Sequence, residues 1–137
     1  MLRVHGAATL DTGTLDPLFD RAALARFRDA VRSVRVAEAI RGYLAAIVRA
    51  TRGISGVELG ASPRASIALF RAAQARAAIH GRDYVLPDDV KRQAPAVLRH
   101  RLFLDADAQM RGRTPAAVVS EVLGRVPVPA EEPRPVA

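Results

Sequence analysis

The chain has no cysteine and no tryptophan, and its aromatic side chains are two tyrosines and four phenylalanines. Of its 21 basic residues only Lys91 is a lysine; the rest are arginines. Without cysteine there is neither a disulfide framework nor a thiolate-ligated metal. His5, His80 and His100 are too scattered to suggest a metal centre. No apolar run is long enough to span a bilayer and no secretory signal is recognisable, so the expected location is the cytoplasm, with no membrane partner. Catalytic patterns are missing too. There is no Gly-x-x-x-x-Gly-Lys-Ser/Thr phosphate loop, no Gly-x-Gly-x-x-Gly, no His-Glu-x-x-His and no Gly-x-Ser-x-Gly. Ser55, in Gly53-Ile-Ser-Gly56, reads as a turn residue. Asp20, Asp88, Asp89 and Asp105 stand where helix starts and loops favour carboxylates, and no acid–base pair emerges. The chain by itself is not expected to be an enzyme.

What remains is an alanine-rich, half-apolar sequence of 137 residues, enough for one helical domain with a modest core. Residues 1–19 read as a leader or linker. Asp20 can cap a helix over about 20–33, with Leu24, Phe27 and Val31 on one face. Val36, Ile40, Tyr43, Leu44, Ile47 and Val48 recur at helical spacing and form a second apolar stripe, with Gly53 as a stop. Residues 53–61 read as a loop. A third helix runs from Pro63 to about His80, with Gly81 as its cap. Its Ala65, Ala68, Leu69, Ala72 and Ile79 share one face, and Ile67, Phe70 and Ala77 another, so it should be central. Arg64, Arg71 and Arg82 form a stripe between those faces. It reads either as a solvated seam or as an edge open to phosphate. Pro87 opens a fourth helix, and Pro95 inside it predicts a break near residue 94. Residues 84–86 could pair with 101–104 as a minimal two-stranded element. Thr114-Pro115 starts a last helix ending near Gly124. Residues 126–137 are proline-rich and read as an extended, flexible tail. The expected fold is all-α: a compact bundle of about five helices occupying residues 20–125.

Leu59-Gly-Ala-Ser-Pro-Arg-Ala65 is the most specific stretch. Ser62 can cap the helix, Pro63 suits the first helical position, and Arg64 follows on the first turn. A guanidinium held on a packed helix can meet a phosphate with little further ordering. An ordinary surface arginine on a capped helix is the competing reading.

Gly60-Ala-Ser-Pro-Arg-Ala65 is followed in order by Leu69-Phe-Arg-Ala-Ala-Gln-Ala75, Gly81-Arg-Asp-Tyr-Val85 and Pro87-Asp-Asp-Val-Lys91. Then come Ala94-Pro-Ala-Val-Leu-Arg-His-Arg-Leu102 and Gly112-Arg-Thr-Pro115. This ordered set, over roughly residues 20–128, resembles the C-terminal lid domain of MoxR-family AAA+ ATPases. Leu86 departs from that pattern, which often has threonine ahead of Pro-Asp-Asp, so a weaker cap is expected there. The resemblance implies that Arg64, supported by Ser62 and Pro63, is the sensor 2 arginine. That residue reaches the terminal phosphate of ATP and couples hydrolysis to lid motion, in its own subunit or in a neighbour. It further implies ATP and Mg2+ in a complete ATPase, with a nucleotide-binding core in cis or as a separate chain and neighbouring ring subunits. A partner carrying a von Willebrand factor A domain and a chaperone-like role are implied as well. The net charge of +7 supports one alternative, a basic, histone-like nucleic-acid binder. No interleaving of aromatic and basic residues suits base stacking, which counts against it.

Overall fold

Asp20 opens the first helix as its position predicts. Its carboxylate accepts the Ala23 N–H at 2.6 Å, and α1 runs Arg21–Ser33. α2 (Glu38–Ala50) buries Ile40, Tyr43, Leu44, Ile47 and Val48, the stripe expected from spacing, and passes into a 3-10 turn at Thr51–Gly53. The computed structural model describes residues 16–130. Residues 1–15 of the expected leader and 131–137 of the expected tail lie outside that range, as does His5.

α3 (Pro63–Ile79) is the central element, packing on α1, α2 and α4 (Pro87–Leu98). Its buried strip is not the expected face. Ala65 and Leu69 are buried, but the strip continues through Ala73 and Ala77, while Ile79 is 82% exposed. Burial here follows an i, i+4 ridge, which drifts about 40° around the helix at each step and so leaves an axis-parallel row behind. Alanines on that ridge let the neighbouring helices approach closely. Gln74 is buried beside it and donates to the Val34 carbonyl at 2.8 Å, tying the α1–α2 turn to α3. Gly81, with φ of 69°, turns the chain after α3 in a conformation that an L side chain resists.

Pro95 does not break α4. It falls in the last turn, where only one backbone hydrogen bond is forgone, and its own carbonyl still accepts the Arg99 N–H. A 3-10 turn at Arg99–Arg101 follows. Leu86 offers no side-chain cap, but the Asp89 carboxylate accepts the Leu86 N–H at 2.9 Å, so half of a capping box survives.

The two-stranded element exists with a different partner from the one expected. β1 (Val57–Leu59) pairs antiparallel with β2 (Phe103–Leu104), whereas Tyr84 bridges to Arg35 in parallel. The loop over 53–61 therefore contains a strand. The 84–86 segment is instead drawn to the α1–α2 turn, where the Arg35 N–H donates to the Asp83 carbonyl at 2.8 Å and the Val85 N–H to the Arg35 carbonyl at 3.0 Å. A short helix that periodicity does not reveal, α5 (Ala106–Met110), is capped by Asp105. Thr114 caps α6 (Pro115–Arg125), which buries Val118, Val119 and Val122. Arg113 locks the loop onto α6, donating to the Ser55 carbonyl at 2.6 Å and pairing with Glu121. The described residues thus hold six helices and one small antiparallel ribbon.

Candidate functional site

The approach to α3 is built by a clamp at the end of α2. Thr51 is fully buried. Its hydroxyl donates to the Val48 carbonyl at 2.7 Å and accepts the Ala61 N–H at 3.0 Å. The Arg52 guanidinium donates to the Ala61 carbonyl through Nε at 3.3 Å and Nη2 at 3.1 Å. Both polar backbone groups of Ala61 are therefore satisfied by consecutive residues of another element, and its methyl group is buried. Gly60 lies flat against Arg52. A Cβ at position 60 would sit 2.6 Å from Arg52 Cγ and 3.0 Å from its Cα and N. Only glycine allows this approach. Neither Thr51 nor Arg52 stands out as a site residue in the sequence, where Arg52 reads only as a cation near the negative end of the α2 dipole; the signal available was a buried-type threonine directly after an apolar helical stripe.

Ser62 takes the N-cap backbone conformation and Pro63 the first helical position, as expected. The Ser62 hydroxyl, however, makes no capping bond. Pro63 has no N–H to offer, and the Ala65 N–H is already taken by the Ser62 carbonyl at 2.8 Å. Arg64 follows on the first turn, exposed and with no ion pair or hydrogen bond among the described residues. A cation there lies at the positive end of the helix dipole. Those features together favour an incoming anion.

The expected arginine stripe is not continuous. Arg71 is exposed, but Arg82 turns away and grips Asp89 with both arms, each at 2.7 Å. Arg76 approaches the same carboxylate at 3.4 Å. Asp89 is nearly inaccessible, and this part-buried triad joins α3, its following turn and α4. Burial pushes the Asp89 carboxyl up. The Arg82 hydrogen bonds, the Leu86 N–H and the charges of Arg82 and Arg76 outweigh burial and hold it below the usual carboxylate range. Tyr43 is shifted the other way, raised by burial and then by the charge of Asp88, so it stays a neutral phenol. Neither group is poised as an acid, base or nucleophile for a bound substrate.

Thr51→Val tests the clamp. It removes the acceptor for the Ala61 N–H inside the core and is expected to lower stability by roughly 1–3 kcal/mol, read from urea unfolding. A loss of only a few tenths would mean that the loop is held elsewhere.

A bundle built around such a central helix belongs to a known class of small helical domains. The model of the AAA lid domain family matches residues 49–122, and the chain belongs to that family. Named MoxR proteins are among its relatives. It is 42% identical over 118 residues to the uncharacterised protein YeaC of Bacillus subtilis, covering 86% of this chain and 37% of YeaC. It is 39% identical over 115 residues to the chaperone MoxR1 of Mycobacterium tuberculosis, covering 77% of this chain and 30% of MoxR1. A solved structure of a proposed ATPase from Cytophaga hutchinsonii superposes with a TM-score of 0.71 at 31% identity, over 74% of this chain and 34% of that one. The chain thus spans about a third of the length of these relatives. It is a AAA lid domain with named MoxR proteins among its relatives. No helix among the described residues is long and apolar enough to cross a membrane.

Proposed function

We propose that this lid closes over ATP bound by a AAA+ core and presents Arg64 to the terminal phosphate, coupling hydrolysis to lid movement. One observation carries the reading: an exposed guanidinium with no partner among the described residues stands on a helix start whose approach is clamped by Thr51, Arg52 and Gly60. A fixed cation where charge develops on a transferring phosphoryl group lowers the barrier, because the positioning is done before the reaction. Among the described residues no group of three or more His, Asp or Glu could hold a metal ion. Mg2+ would therefore be carried by the nucleotide phosphates and the core, and every role given to this chain is one of binding and orientation.

Family membership and the likeness to MoxR1, which is named a chaperone, support a wider reading. The lid works within a ring of like subunits, in a chaperone-like machine, on a core supplied in cis or as a separate chain. A partner bearing a von Willebrand factor A domain belongs to the same proposal and rests on the resemblance alone. Steady-state ATP turnover of the complete ATPase carrying Arg64→Ala tests the central claim, and unchanged turnover would refute it.

A further inference from the structure

α1 is an amphipathic helix that buries none of its own residues. Leu24 is 50% and Phe27 52% exposed. α1 packs on α3 and Phe19 meets Phe27 edge-on, yet half of Leu24 and Phe27 stays exposed, and a half-covered apolar stripe of this kind marks a surface for a partner. The stripe does not face open solvent on a convex surface. It forms one wall of a groove of about 940 Å³, with Leu24, Phe27 and Val31 on α1 and Phe70 on α3 as apolar lining.

The rim of that groove is cationic, formed by Arg28, Arg32, Arg35, Arg41 and Arg71. Arg32, Arg35 and Arg41 have carboxylate neighbours, Asp29 at 3.5 Å, Asp83 at 3.0 Å and Glu38 at 3.5 Å. These pairs are largely solvated, worth little, and readily exchanged for a partner's carboxylates. Arg28 on α1 and Arg71 on α3 have no partner among the described residues, and they belong to opposite walls.

We propose that this groove docks an acidic amphipathic helix of a partner polypeptide. Its apolar stripe would lie between Phe27 and Phe70, and its flanking Glu or Asp side chains would meet Arg28 and Arg71. A concave apolar slot between two helices suits a helix laid into it. α1 is about 20 Å long, which matches three to four turns of an incoming helix. Arginine forks on both sides favour carboxylates bidentately and set the charge of the partner. A flat anionic membrane fits this concavity less well. The proposal does not depend on Arg64, which lies about 10 Å along α3 from Arg71.

The test uses the 137-residue chain and the intact ATPase, with a fluorescein-labelled designed peptide of about 18 residues. The peptide carries leucine at i, i+3, i+4 and i+7 and glutamate on the flanks; a second peptide has lysine in place of glutamate. Saturable anisotropy binding of the acidic peptide, weakened roughly tenfold or more by Arg28→Glu with Arg71→Glu, is the expected result. Circular dichroism and the thermal midpoint should be unchanged in that variant, since both positions are exposed. Phe27→Asp should weaken binding as well. The proposal is overturned by any of four results: no saturable binding, equal binding of the lysine peptide, indifference to the arginine changes, or binding only to phosphatidylglycerol vesicles without competition from the peptide. Binding by the 137-residue chain but not by the intact ATPase also overturns it, because the core would then cover the groove.

Discussion

Replacing Arg64 with alanine in the complete ATPase should lower ATP turnover by roughly 10²–10³-fold without destabilising the lid. The two readouts separate because Arg64 contributes nothing to the packing. It is exposed, unpartnered among the described residues, and placed at the end of a helix dipole that disfavours a cation. Removing it should leave the thermal midpoint where it is or raise it slightly. Arg64→Lys keeps the charge but loses the planar fork and should fall between the two. Gly60→Ala provides the positional counterpart. Its added methyl group would meet the Arg52 backbone at 3.0 Å, so the loop has to shift and carry the helix start with it. An error of about 1 Å in a positioned group can cost up to ~10²-fold in rate, so Gly60→Ala should reduce turnover although it touches no nucleotide. If Gly60→Ala destroyed turnover while Arg64→Ala spared it, the loop itself, and not the guanidinium, would be the working part.

The sequence signals that held were those made by local chemistry. Asp20 and Thr114 announce their helices through side-chain caps, and Pro63, Pro87 and Pro115 each stand at a first helical position. The α2 stripe was readable because its burial is one-sided and regular. Misreadings came where partners distant in sequence decide the outcome. β2 was anticipated at the right place, but its mate is β1, because Arg35 draws the 84–85 segment away to the α1–α2 turn. Arg82 looks like Arg71 in the sequence; a carboxylate seven residues further on takes it out of circulation. The site divides in the same way. The helix start at Pro63 was legible from serine followed by proline, although the Ser62 hydroxyl makes no capping bond. Its supports were not, because Thr51 and Arg52 reach Ala61 across a loop, and Gly60 resembles any loop glycine until Arg52 is seen against it.

Asp89→Ala should lower stability by about 1.5–3 kcal/mol, the range for losing hydrogen bonds to a charged group. The Asp89 side chain is 3% exposed, and those of Arg82 and Arg76 are 21% and 25%. The alanine variant would leave two guanidiniums and the Leu86 N–H partly buried without their acceptor. Asp89→Asn keeps the shape and an acceptor for that N–H, so its loss should be smaller. The pH dependence separates charge from shape. The folded-state carboxyl titrates below its ordinary value of 3.8. Its contribution is therefore complete above the unfolded-state value of about 4 and disappears as the pH falls through the lower folded-state value. Urea unfolding of the chain at pH 7 and pH 3 should show the gap between wild type and Asp89→Asn narrowing at the lower pH. A gap of equal size at both would mean that the ion pair adds no net stability and that Asp89 acts as a neutral hydrogen-bond acceptor. The triad lies toward the C-terminal end of α3, away from Arg64. It therefore fixes the tilt of that helix on α4, while the Thr51–Arg52 clamp fixes its start. Two independent anchors fix the helix on which Arg64 stands, while its exposed side chain, without a partner among the described residues, keeps its rotamer freedom until an anion engages it.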